Sequence, residues 1–254
     1  MTHGPRLLVV NPNTTRSMTE AIGRAAAAVA APGTRIEAVS PADGPPSIEG
    51  YYDEAFSVPG LLVELRKGAA ADAAILACFD DTGLDAARTV FDGPVVGIGE
   101  AAFHMASLVA GTFSVVTTLQ RSVPAIEHNL VRYGLAARCR RVRASEVPVL
   151  ALEDPASDAR QRVSEEIARA LVEDRAEAIV LGCADMADLA RVLSEEHGVP
   201  VVDGVAAAVK LAEGLVALGL RTSRRGGYQR PGAKTYAGAF ASHSPSPGLQ
   251  GRTA

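Results

Sequence analysis

Short apolar runs alternate with amphipathic stretches along most of the chain. Leu7-Leu8-Val9-Val10 reads as a first buried strand. Asn13 or Thr14 is placed to cap the helix that follows, where Met18, Ile22, Ala25 and Val29 recur at helical spacing. Residues 35–39 read as a second strand, and the prolines and glycines of 44–50 mark a loop. A helix near 61–68 leads into an apolar strand, Ala73-Ala74-Ile75-Leu76-Ala77, that ends at Cys78. The pattern then predicts strand 94–98, helix 99–109, strand 113–117, helix 123–133, strand 139–143 and helix 159–172. A second apolar strand, Ala178-Ile179-Val180-Leu181-Gly182, ends at Cys183. Helix 186–195, strand 199–202 and helix 205–218 complete the series. Strands alternating with helices in this way specify an α/β fold with mostly parallel sheets flanked by helices.

The series repeats one theme. Strand 7–10 and strand 113–117 each run into a polar end, Asn11-Pro12-Asn13 and Thr117-Thr118. Each is followed, about two α/β units later and at nearly equal offset, by a strand ending in cysteine. Two pseudo-symmetric α/β lobes with a cleft between them are expected: 1–110 plus 205–240, and 111–204. Ligands of open α/β sheets bind at the carboxyl ends of strands, where Asn11, Cys78, Thr117 and Cys183 all fall. The segment after Leu220 is rich in Arg, Gly, Ser and Pro, and 241–254 is expected to be a disordered tail.

Composition narrows the class. At 254 residues and 48% hydrophobic, the chain has ample material for a buried core. A formal net charge of −4 without a dense basic block argues against nucleic acid as a partner. No apolar stretch reaches the length of a membrane span, and the start of the chain has no signal-like apolar region. A soluble cytoplasmic protein acting on a small molecule, and assembling as a homo-oligomer, is expected. Three cysteines, an odd number, point to free thiols rather than disulfides.

A free thiol has a pKa of about 8.5, and a helix N-terminus lowers it to roughly 3.5–7.5. Segments starting near Asp81 and Met186 are expected to aim free N–H groups at Cys78 and Cys183. Two thiols across one cleft do not both ionise, so the resting pair is one thiolate and one thiol. A base on one face and an acid on the other is what inversion of a carbon stereocentre requires. A single strand-end cysteine is ordinarily a small core hydrophobe; packing gives no reason for two in matching contexts. Cys139, amid Arg138, Arg140 and Arg141, has no counterpart and reads as structural. The histidines are scattered and no Cys-x-x-Cys occurs, so no metal site is expected.

Asp80 and Asp185 each stand two residues after a cysteine. They read either as helix N-caps or as groups that tune the thiols and accept polar hydrogens of a substrate. Asn11 is either part of a turn or an amide presented to the cleft, and Thr117 and Thr118 are strand members at a ligand-facing end. Gly97-Ile98-Gly99-Glu100 has only part of a phosphate-loop pattern.

Several runs together resemble the hydantoin racemase family of the aspartate/glutamate/hydantoin racemase superfamily. They are Asn11-Pro12-Asn13-Thr14-Thr15, Ser47-Ile48-Glu49-Gly50-Tyr51-Tyr52-Asp53-Glu54, Ala77-Cys78-Phe79, Val115-Val116-Thr117-Thr118-Leu119, Leu181-Gly182-Cys183-Ala184 and Val201-Val202-Asp203-Gly204-Val205-Ala206-Ala207-Ala208. The resemblance covers roughly 6–236. It implies a cofactor-independent two-base racemase with one catalytic cysteine per lobe, Cys78 and Cys183. It also implies that Asn11, Phe79, Thr117, Thr118 and Ala184 line the substrate, partly through backbone amides. The family pattern has Gly where this chain has Asp80 and Asp185, and Pro where it has Thr82. Extra acceptors there suit a polar 5-substituent with N–H donors, such as the ureido group of allantoin. An amino-acid racemase and a non-catalytic small-molecule sensor on the same fold are the alternatives; a sensor tolerates loss of either thiol.

Overall fold

The computed structural model describes residues 4–154 and 156–245. Among these residues two four-stranded sheets form, each entirely parallel. The first has the order β2-β1-β3-β4, built from β1 (Arg6–Val10), β2 (Arg35–Val39), β3 (Ala73–Leu76) and β4 (Val95–Gly97). The second has the order β6-β5-β7-β8, from β5 (Phe113–Thr117), β6 (Cys139–Ala144), β7 (Ala178–Gly182) and β8 (Val201–Val202). The two orders are the same pattern repeated, as the spacing of the cysteine strands implies.

Register is what positions the strand ends. Val10 pairs with Leu76, and the Ala77 N–H donates to the Val10 carbonyl at 2.9 Å. Asn11 and Cys78 therefore leave the first sheet side by side. Thr117 pairs with Gly182 in the same way, so Thr118 and Cys183 leave the second sheet together.

Among the described residues eight α-helices cover the sheets: α1 (Arg16–Val29), α2 (Tyr51–Lys67), α3 (Leu84–Val90), α4 (Ile98–Val109), α5 (Val123–Arg132), α6 (Ala159–Arg169), α7 (Ala190–His197) and α8 (Gly204–Ala217). Because β1, β3, β5 and β7 are buried on both faces, their side chains alternate between two cores. Leu7, Val9 and Ile75 face one continuous cluster that also takes in Ile98 and Phe103 of α4, Val205 and Val209 of α8, and Val115 and Val180 of the second sheet. This shared core ties the two lobes together. Leu8, Val10 and Leu76 face a satellite core under α2 and α3, and Val116, Ile179 and Leu181 face one under α6 and α7. Asp203 caps α8, accepting the N–H groups of Val205 and Ala206 at 2.8 and 2.7 Å.

Several boundaries differ from the periodicity. The helix expected near 61–68 starts at Tyr51 and contains Pro59. Pro59 deprives only the Ala55 carbonyl of its helical donor, and Ala55 is exposed to water. The helix expected at 159–172 stops at Arg169 and widens into a π-type turn, Ala170–Asp174. That turn brings Glu173 and Asp174 onto the Arg143 guanidinium. After α8 the chain runs back over the first lobe: Thr222 donates to the Gly93 carbonyl at 2.7 Å, and Tyr228 to Asp85 at 3.1 Å. Residues Gly238–His243 form a 3-10 turn, and 246–254 of the expected tail lie outside the described residues. Among the described residues no helix is long and apolar enough to cross a membrane.

Candidate active site

The carboxyl ends of β1, β3, β5 and β7 meet at a narrow, half-open cleft with an interior volume of about 50 Å³. Cys78 and Phe79 line it from the first lobe, with Asn11, Pro12 and Asn13 beside them. Cys183, Ala184 and Thr118 line it from the second. Met18 of α1, Ile48, Ser122 and Val149 close its walls. Neither cysteine is in a disulfide, and both are partly exposed. Cys78 and Cys183, from different sheets, thus border one cavity.

The loop after Cys78 departs from expectation. No helix starts at Asp81. Its N–H instead closes a turn on the Cys78 carbonyl at 3.0 Å, its φ is +50°, and α3 begins only at Leu84. Cys78 therefore lacks the helix N-terminus that lowers a thiol pKa. Burial pushes the thiol up to about 12, and the neighbouring Asp80 carboxylate adds to that rise; a hydrogen-bonding contact with Thr82 Oγ1 at 3.6 Å opposes it. Cys78 rests as the thiol. On the other side, Ala184–Leu189 form a 3-10 turn before α7, and the Met186 N–H bonds the Cys183 carbonyl at 3.2 Å.

Asp80 lines the cleft and is not a helix cap; the residue before α3 is Gly83. Burial pushes its carboxyl up to about 8, helped by the charges of Glu54 and Asp81. At neutral pH it offers one O–H donor and one carbonyl acceptor. Glu54, in the first turn of α2, is a contributor that periodicity missed, although it ends the Ser47-to-Glu54 run. Its own carboxyl is raised by burial, and its Oε1 is buried without a hydrogen-bond partner among the described residues.

Two expected ligands sit differently. Thr117 does not line the cavity, because its hydroxyl donates to the Gly182 carbonyl at 2.9 Å and holds β5 to β7. Asn11 does line it, yet its amide hydrogens go to Asn13 Oδ1 at 2.9 Å and Thr19 Oγ1 at 3.0 Å. It stiffens the Asn-Pro-Asn wall rather than offering a free donor. The Asp185 side chain lies outside the described residues. Ser122, Ile48 and Val149 are lining residues that carry no chemical signature in sequence.

The partial phosphate-loop pattern also has an explanation. At the N-terminus of α4 the Gly99 and Glu100 N–H groups bind the Asp81 carboxylate, at 3.1 and 2.8 Å. A Cβ at Gly97 or Gly99 would overlap that carboxylate. The group at this loop is the chain's own carboxyl, which burial pushes up to about 7.

These charges make a pH prediction. Asp80→Asn removes the negative neighbour of Cys78, so the thiol ionises at lower pH. Carbamidomethylation of Cys78 at pH 9, followed by peptide mass spectrometry, is expected to run severalfold faster in Asp80→Asn than in wild type. At pH 6, where Asp80 is already neutral, the rates are expected to coincide.

Comparison with known proteins places this arrangement. The Asp/Glu/Hydantoin racemase family model matches residues 7–212. A hydantoin racemase from Rhizobium meliloti is 50% identical over 232 residues, 91% of this chain and 96% of the relative. The solved allantoin racemase from Klebsiella pneumoniae is 51% identical, with a TM-score of 0.92 over 96% of this chain and 100% of that one. The allantoin racemase AllR from Pseudomonas fluorescens is 42% identical, with a TM-score of 0.87 over 92% of this chain and 100% of that one. With matched residues running through both cysteine strands, the chain belongs to the Asp/Glu/hydantoin racemase family.

Proposed function

We propose that this chain is a cofactor-independent racemase that inverts C5 of a 5-monosubstituted hydantoin, with Cys78 and Cys183 as its acid/base pair. The observation that carries the reading is the convergence of two cysteine side chains, one from each sheet, on a single cleft. In one direction the Cys183 thiolate removes the C5 proton and the electron pair moves into the adjacent carbonyl as an enolate. The Cys78 thiol then returns a proton to the opposite face, becoming the thiolate. The roles exchange in the reverse direction. The raised pKa of Cys78 suits its start as the acid. The Thr118 and Ser122 side chains and the backbone N–H groups beside the cysteines are the candidate donors for the enolate oxygen.

A polar 5-substituent of the ureido type is the further part of the proposal. Asp80 supplies a donor and an acceptor side by side, the reverse of the pair on a ureido –CO–NH₂. The likeness to two allantoin racemases supports it. Among the described residues that line the cavity none is Lys or Arg, which favours a neutral ring over an amino-acid carboxylate.

Polarimetry on enantiopure allantoin, 5-alkyl hydantoins, aspartate and glutamate tests the reading. Allantoin is expected to racemise faster than 5-alkyl hydantoins, and the amino acids not at all. Asp80→Gly is expected to shift the allantoin-to-alkyl ratio of kcat/KM toward alkyl by roughly tenfold, the size of one or two lost buried hydrogen bonds. An unchanged ratio would remove Asp80 from substrate selection, and inversion of glutamate in place of hydantoins would overturn the whole proposal.

A further inference from the structure

The Cys78 loop is held from the other lobe. Asn129, in α5, donates through Nδ2 to the Asp80 carbonyl at 2.7 Å. Tyr133, four residues on and on the same helix face, donates its hydroxyl to Asp81 Oδ2 at 2.8 Å. Asn129 and Asp81 are both buried. The Asp81 carboxylate is gripped from its own side as well, by the N–H groups of Gly99 and Glu100. Asp81 carries a left-handed φ of +50°, a conformation a non-glycine residue keeps only where its surroundings enforce it. Just before the start of α5 stands Ser122, a wall of the cleft; at the far end of the helix are the residues that hold the loop opposite.

We propose that Asn129 and Tyr133 are positioning residues that clamp the Asp80–Asp81 turn from the second lobe, through the Asp80 carbonyl and the Asp81 side chain, and so fix the Cys78 thiol against Cys183. The inference rests on the proton-transfer role given to Cys78 above. Neither residue reaches the cavity, so neither is a catalytic residue. Their contribution is to hold one sulfur in register with the reacting carbon, a placement that costs about a hundredfold in rate when lost by about 1 Å. Both contacts join side chains of one lobe to a loop of the other. Loosening them displaces Cys78 and leaves the Cys183 strand, β7, as it is.

Tyr133→Phe and Asn129→Leu in the full chain test this, with kcat, KM, thermal unfolding and the carbamidomethylation rates of Cys78 and Cys183 measured on each. The expected result is a kcat lowered roughly tenfold or more with KM within about twofold of wild type. Cys78 is expected to alkylate severalfold faster, while Cys183 keeps its wild-type rate. Unchanged kcat in folded variants, or Cys78 and Cys183 reactivities that rise together, would overturn the clamp and leave only a structural contact. If Asn129→Leu does not fold, Tyr133→Phe, which removes a single oxygen, decides. Racemisation retained in Cys78→Ser would instead defeat the proton-transfer role; the clamp is then judged on the Cys78 alkylation rate alone.

Discussion

Serine in place of either Cys78 or Cys183 is expected to lower racemisation roughly 10²–10⁴-fold, the usual range for losing a general acid or base. The two sites sit at equivalent strand ends, and in the proposed mechanism they act in series on every turnover, so loss of either should disable inversion. Serine nearly matches cysteine in shape but does not ionise near neutral pH, so the effect is chemical rather than steric. Both are partly exposed at the cleft, Cys78 packed on the rim of the satellite core under α2 and α3 and Cys183 on the rim of the one under α6 and α7, and serine nearly fills either place. Both variants are therefore expected to unfold within a few degrees of wild type, and their kcat values should be read beside a thermal melt. A variant that keeps more than a tenth of wild-type racemisation, at unchanged stability, would remove that sulfur from the mechanism.

The second large effect concerns stability. Arg143 is 7% exposed and holds Glu166 at 3.0 Å, Glu173 at 2.7 Å and Asp174 at 2.6 Å; Glu166 and Asp174 are themselves 8% and 6% exposed. Arg143→Ala leaves the buried Asp174 carboxylate with the Ser114 hydroxyl and Glu166 with Arg169, and breaking a buried pair from one side costs about 3–5 kcal/mol. The loss should appear in urea unfolding as a lower midpoint with an unchanged slope. Its pH dependence has a definite sign. Burial works against the Asp174 charge, but hydrogen bonds from Arg143 and Ser114 outweigh it and hold the carboxyl below its ordinary value. The stabilisation is thus full above about pH 4 and fades as the pH falls further. Wild type and Arg143→Ala should converge in stability at low pH. A penalty that is the same at pH 3 and pH 7 would show that packing, not charge, is what Arg143 supplies.

Much of this fold was legible because buried parallel strands are short, apolar and end in polar residues. The strands at 7–10, 73–77, 113–117 and 178–182 were placed within a residue or so, and with them both cysteines at the cleft. What periodicity missed was set by contacts between distant segments. The first turns of α2 hid behind Pro59 and a glycine-rich loop, although Asp53 accepts the Glu49 N–H at 3.0 Å at its start. The helix expected at Asp81 is displaced to Leu84 because the Asp81 side chain is claimed by α4 and by Tyr133. No local pattern encodes that claim, and it reverses the expected effect on Cys78: without a helix end and with Asp80 beside it, the thiol rises rather than falls. Thr117 illustrates the same limit. A threonine at a strand end looks like a ligand until its hydroxyl is seen to serve the neighbouring strand.

Deuterium uptake at C5 from heavy water, followed separately for each enantiomer, addresses the two-thiol exchange most directly. In wild type, early product of inverted configuration should carry deuterium while remaining substrate carries little. In Cys78→Ser and Cys183→Ser, inversion should vanish, and any residual exchange should be confined to one enantiomer, the opposite one in each variant. Inversion persisting in either variant, or one variant exchanging both enantiomers at equal rates, would contradict proton transfer between Cys78 and Cys183.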